Sequence, residues 1–75
     1  MHKIEVEGFA RSKPKFDGSA LWMFDFQTDQ DAILEIVVPP VQGCDIVKSI
    51  EPGTRLSLTG DEFGCSLIFS AGKVL

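Results

Sequence analysis

Three of the chain's seven basic residues, Arg11, Lys13 and Lys15, fall within five positions beside Phe16 in the stretch FARSKPKFDGS. Cations clustered beside an aromatic ring on an otherwise acidic chain make this stretch the first place to look for a bound ligand. A second phenylalanine, Phe63, stands in GDEFG, another segment rich in turn residues. The remaining reactive side chains form no comparable set. The single histidine is His2, and nucleophilic catalysis needs a histidine held rigidly by a third group, which a residue beside a chain end does not promise. Asp29-Gln30-Asp31 and Asp61-Glu62 are carboxylate pairs in segments that read as turns, where aspartate serves as a local hydrogen-bond acceptor. Neither GxxxxGK[ST] nor GxGxxG occurs, and the EF-hand spacing fails after Asp31. The expectation is a binding protein, not an enzyme, with no catalytic residue, metal or cofactor.

Cys44 and Cys65 lie 21 positions apart, outside any CxxC pair. With His2 they supply three soft or imidazole ligands where a structural zinc site uses four. Both read as small buried apolar residues, with a disulfide between them as the alternative.

With 75 residues the chain is expected to be a single domain, residues 1–75, burying roughly 60% of its unfolded surface. Apolar residues make up 44% and charged residues 24%, a globular rather than a disordered profile. No apolar run approaches the ~20 residues of a membrane helix. MHKIEVEGF alternates charged and apolar residues, unlike a signal peptide. A soluble, cytoplasmic protein without a membrane partner is therefore expected. Charge is unevenly spread. Residues 1–16 carry four basic and two acidic groups, net +2, and residues 17–75 carry three basic and nine acidic, net −6. The total of −4 is unlike a general nucleic-acid binder and leaves a local basic patch on an acidic body.

The elements that must position these residues follow from period-2 alternation. In KIEVEGFA, Ile4, Val6 and Ala10 share one face, with Gly8 on the same side, where a glycine lets a strand bend or bulge. SALWMFDFQT places Trp22, Phe24 and Phe26 inward and Leu21, Met23, Asp25 and Gln27 outward. Between them, Pro14 and Asp17-Gly18 mark a hairpin with a curled tip. AILEIVVP sets Leu34, Ile36 and Val38 inward and Ile33, Glu35 and Val37 outward. Val41, Cys44, Val47 and Ile50 recur every three residues, as one face of a short helix over 41–51 ended by Pro52-Gly53. A fourth strand, TRLSLTG, directs Leu56 and Leu58 inward. After the turn GDEFG a fifth, CSLIFSAGKVL, does so with Cys65, Leu67, Phe69 and Ala71, leaving Ile68 outside.

Three strands, a short helix and two more strands, with a glycine in a curled first strand and the segment IEPGTRLSLTGDEFGCSLIF, resemble the oligonucleotide/oligosaccharide-binding (OB) fold. The resemblance covers nearly the whole chain and implies a mainly β, five-stranded antiparallel barrel with one short helix between strands three and four. An SH3-like barrel and a sheet packed on one helix are the rival architectures. The OB resemblance also implies single-stranded DNA or RNA, or a sugar, lying across strands two and three, clamped by the loop between strands one and two and the loop between strands four and five. On that reading Arg11, Lys13 and Lys15 face phosphates, Phe16 and Phe63 stack on bases, and Met23 and Val37 lie beneath the strand. The same loop residues would equally keep a hairpin tip soluble, with Phe16 folded back over the barrel's open end. A second reading starts from the outward apolar residues Leu21, Met23, Ile33, Val37 and Ile68, which would serve a protein partner or a homodimer.

Overall fold

The computed structural model describes residues 2–18, 21–39 and 44–75, the side chains of His2 and Cys44 excepted. The expected start of the second strand at Ser19-Ala20, the helical position Val41 and the side chains of His2 and Cys44 lie outside the described residues. The alternation in the first segment becomes β1 (His2–Ala10), and a two-residue strand, β2 (Lys15–Phe16), follows it. Next come β3 (Trp22–Thr28), β4 (Ile33–Val38), a single helical turn α1 (Cys44–Val47), β5 (Arg55–Phe63) and β6 (Ser66–Val74).

The five long strands close on themselves in the order β1-β3-β4-β6-β5, with β5 returning to β1. The result is a closed five-stranded barrel, compatible with an OB-like fold. The sequence led to the expectation of a wholly antiparallel barrel, and that is corrected: β4 and β6 run parallel, with Ile36 opposite Leu67 and Val37 opposite Ile68. The reason is parity. Strand direction cannot alternate all the way round a ring of five, so one neighbouring pair must share a direction. Here β5 lies between β4 and β6 in sequence, and that pair is the one that closes the ring.

β1 serves two partners. It pairs with β5 from His2 to Phe9 and with β3 from Gly8 to Ala10. Gly8 is the crossing point, opposite both Thr28 and Leu56. A Cβ there would collide with the Gln27 carbonyl oxygen and sit 2.8 Å from Thr28 Cα, so only glycine lets the strands approach this closely.

The stretch expected as the first loop is mostly not a loop. Ala10 stands opposite Phe26 and Lys15 opposite Met23, so the four residues 11–14 of one strand face only Phe24 and Asp25 of the other. Residues 11–14 are therefore a bulge within one long, curled strand, and β2 resumes the ladder beyond it. The bulge is stitched to β3: Arg11 N–H donates to the Asp25 carbonyl at 2.7 Å, and Asp25 N–H donates to Ser12 Oγ at 3.0 Å. The tip proper begins at Asp17, whose N–H donates to the Leu21 carbonyl while its Oδ1 accepts from Leu21 N–H.

Inward residues follow the alternation closely. Phe24, Phe26, Leu34, Ile36, Val38, Leu56, Leu58, Leu67 and Phe69 are all buried, with Ile4, Val6 and Trp22 packed at the margin. Val47 and Ile50 complete the core from the segment around α1. In the segment expected as a helix over 41–51, helical backbone is present at Cys44–Val47 and a turn follows, with Ser49 N–H donating to the Ile46 carbonyl.

Three expectations for the last hairpin are corrected. Asp61, Glu62 and Phe63 belong to β5 and not to a turn, and the strands reverse at Gly64-Cys65. Gly60, expected to open that turn, is needed because a Cβ there would collide with the Ile68 carbonyl oxygen. Cys65 is an exposed free thiol rather than a buried residue, because it occupies the turn. Ala71 is exposed because the register shifts at Thr59/Gly60: Thr59 faces Ala71 while Gly60 faces Phe69, so Ser70 is an extra residue and the alternation beyond it reverses.

Candidate functional site

Lys15, Met23, Val37 and Ile68 stand side by side across four strands. Lys15 pairs with Met23, Met23 with Val37, and Val37 with Ile68. Paired residues point to the same side of a sheet, so these four share the outer face, and with strands ~4.8 Å apart the row spans about 14 Å. The row continues through Asp61 and Lys3 on β5 and β1. Its three apolar members are half-buried by their neighbours, while Lys15 is exposed. The outward apolar residues expected from sequence thus separate into a true row and two outliers. Ile33 lies two rows away opposite Gln27, and Leu21 belongs to the tip before β3.

The adjacent row has a different character. Asp25 and Glu35 face each other directly across β3 and β4, Glu35 pairs with Ser66, and Ser66 pairs with Phe63. Two exposed carboxylates in direct cross-strand opposition repel each other. With Ser12, Lys15 and Met23 they line a shallow cavity of about 180 Å³. Sequence reading placed both carboxylates outside but missed that they meet. Counting back from the Thr28–Ala32 turn would have shown it, since Thr28 N–H donates to the Ala32 carbonyl at 2.8 Å and fixes the hairpin register.

The basic stretch is divided by its bulge. Lys15 joins the outer row, whereas Phe16 is opposite Trp22 on the other side of the ladder, with ring centroids 5.3 Å apart and planes at 56°. Phe16 remains 54% exposed. Lys13 and the buried Pro14 turn to the same end of the barrel, where with Trp22, Val47 and Lys48 they line a cavity of about 290 Å³. Lys48 was not singled out from sequence, and Val47 only as part of the apolar helical face, because their proximity to Lys13 is a tertiary contact without a local signature. Arg11 has an exposed side chain at the bulge. Phe63 is 50% exposed at the far end of the carboxylate row, with β4 and β6 between it and β3, so Phe16 and Phe63 do not converge.

At the opposite corner Arg55 and Asp29 form a two-pronged ion pair, with Nη1 and Nη2 at 2.9 and 3.0 Å from the carboxylate oxygens. Hydrogen bonding to the guanidinium, then its charge, holds the Asp29 carboxyl below the usual aspartate value, and the same hydrogen bond raises Arg55. Asp29 N–H also donates to the Glu7 carbonyl at 2.8 Å. Asp29 therefore anchors the β3–β4 turn to β1 and β5, while Asp31 accepts from Gln27 Nε2 within the hairpin. Among the described residues, no helix is long and apolar enough to cross a membrane. No protein-family model matches the chain, and no curated protein matches it.

Proposed function

We propose that this chain is a non-catalytic binding module of the OB type that holds a short single strand of nucleic acid across the outer face of β3, β4 and β6. The row Lys15-Met23-Val37-Ile68 carries this reading, because it is a continuous apolar strip with a cation at one end. Apolar side chains in a row offer bases a water-excluding floor, and Lys15, with Arg11 and Lys13 on the neighbouring bulge, supplies charge for phosphates. Phe63, across the carboxylate row, is a peripheral stacking platform. The acidic body keeps affinity low.

The opposed carboxylates Asp25 and Glu35 favour a second reading. A protein partner would use the row Met23-Val37-Ile68, with Ile33 and Leu21 at its margins, and would place basic side chains over Asp25 and Glu35. Anisotropy of labelled single-stranded DNA and RNA separates the two readings. With about two phosphates neutralised, affinity should fall about sevenfold for a fourfold rise in salt. The double variant Lys15→Ala/Met23→Ala should abolish binding while leaving the unfolding midpoint nearly unchanged. Absence of binding at low salt would retire the nucleic-acid reading in favour of the protein partner.

A further inference from the structure

We propose that the end cavity formed by Lys13, Pro14, Trp22, Val47 and Lys48 receives the terminal nucleotide of the bound strand, with the base against Trp22 and Pro14 and its phosphate between the two lysines. The inference rests on the single-strand reading and deepens it. The cavity measures about 290 Å³, and its lining combines an indole, a pyrrolidine ring and a valine with two ammonium groups. Flat apolar walls suit a base, which stacks on aromatic faces whatever its sequence. The lysines suit a terminal phosphate, which carries more charge than an internal one and accepts hydrogen bonds from several directions.

Charge selects this cavity over its neighbours. The cavity beside β1 is lined by Glu5, Glu7 and Asp29, and the one on the outer face by Asp25 and Glu35 against a single cation, Lys15. Among the described residues, the lining of the end cavity has two lysines and no carboxylate, in a chain of net charge −4. Its cations also come from distant segments, Lys13 from the bulge and Lys48 from the turn after α1, so their meeting is a property of the fold. Position adds a further reason. Phe16 and Trp22 adjoin Lys15 and Met23 in the β2–β3 ladder but point to its other side, so the cavity is next to the outer row around the end of the barrel. A strand lying on that row reaches the cavity by turning over the barrel's end, which suits its terminal nucleotide.

Trp22 is the only tryptophan and the chain has no tyrosine, so intrinsic fluorescence reports on this cavity alone. Adenosine 5′-monophosphate, adenosine and inorganic phosphate would be titrated separately into the protein and into Lys48→Ala, a change at an exposed position outside the outer row. Saturable quenching by the mononucleotide is expected, weaker by about tenfold for adenosine and for the mononucleotide with Lys48→Ala, with no quenching by phosphate alone. Oligonucleotide binding by anisotropy with Trp22 silent to every probe would overturn the cavity assignment and leave the single-strand reading standing. Silence in both measurements would overturn both. Quenching that Lys48→Ala leaves unchanged, or quenching by an acidic peptide in preference to the nucleotide, would also overturn the assignment.

Discussion

Phe16 and Trp22 face each other across the two-residue ladder between β2 and β3, with their ring centroids 5.3 Å apart and their planes tilted by 56°. Tilted aromatic pairs contribute about 0.5–1.5 kcal/mol beyond the area they bury. Phe16 is half-exposed, so its burial adds little and the pair itself is what a substitution removes. Phe16→Ala is expected to lower stability by about 1 kcal/mol and to shift Trp22 emission to longer wavelength as the indole gains water. Urea unfolding followed by tryptophan fluorescence checks both. Unchanged emission and an unchanged midpoint would mean that the rings do not pair in solution.

The opposition of Asp25 and Glu35 predicts a gain of function. Like charges directly across a strand pair cost about 0.2–1 kcal/mol, and here they also sit beside the proposed path of a polyanion. Glu35→Lys should raise stability by that amount and add one cation to the face. Single-strand affinity should rise, and the log–log salt slope should steepen by about 0.7. A slope that stays the same would place the strand elsewhere on the molecule.

The inward positions were legible because burial in a barrel imposes a period of two: Phe24 and Phe26, Leu34 to Val38, Leu56 and Leu58, and Leu67 and Phe69 all lie where alternation puts them. Bulges were not legible, because an extra residue is defined only against its partner strand. The shift at Ser70 reversed Ala71, and the bulge at residues 11–14 separated Lys13 from Lys15, which a regular strand would have kept on one face. Gly60 and Gly64 both looked like turn residues, and only the second is at the turn. In the candidate site, the apolar strip was foreseeable from alternation, but the meeting of Lys13 with Lys48 depends on how α1 packs, which periodicity does not encode. That some neighbouring pair must run parallel was within reach of counting alone, since five strands cannot alternate around a closed ring, but its identity as β4–β6 depends on the strand order.

Gly8 should be among the least replaceable positions. Its missing side chain lets β1 lie against Gln27 and Thr28 on one flank and Leu56 on the other, and the colliding atoms are backbone, which cannot swing aside. Gly8→Ala is expected to cost about 3 kcal/mol or more, a large part of the ~4–11 kcal/mol typical of a chain this size. Chemical denaturation measures it. Propensity alone would favour alanine in a strand by about 0.5–1 kcal/mol, so a gain, or a loss under about 1 kcal/mol, would show that the crossing is looser than described.

The Asp29–Arg55 pair predicts a dependence on acid. Asp29 ionises in the folded protein at a pH below its ordinary value of 3.8, first because Arg55 hydrogen-bonds the carboxylate and then because of the guanidinium charge. As pH falls, the unfolded chain takes up this proton before the folded one does. The pair's contribution is therefore complete above the unfolded value and is lost as pH drops through the folded one. Arg55 stays charged throughout this range, so only the carboxylate matters. With side chains 48% and 49% exposed, the pair is screened by salt and its contribution is small. Asp29→Asn should be slightly less stable than the parent at pH ~7, and the gap should close below pH ~3.8 and shrink at high salt. Urea midpoints of both proteins across that range test this. A gap of the same size at every pH would mean that the substitution disturbs the β3–β4 turn itself, whose backbone is tied to Glu7, rather than the ion pair.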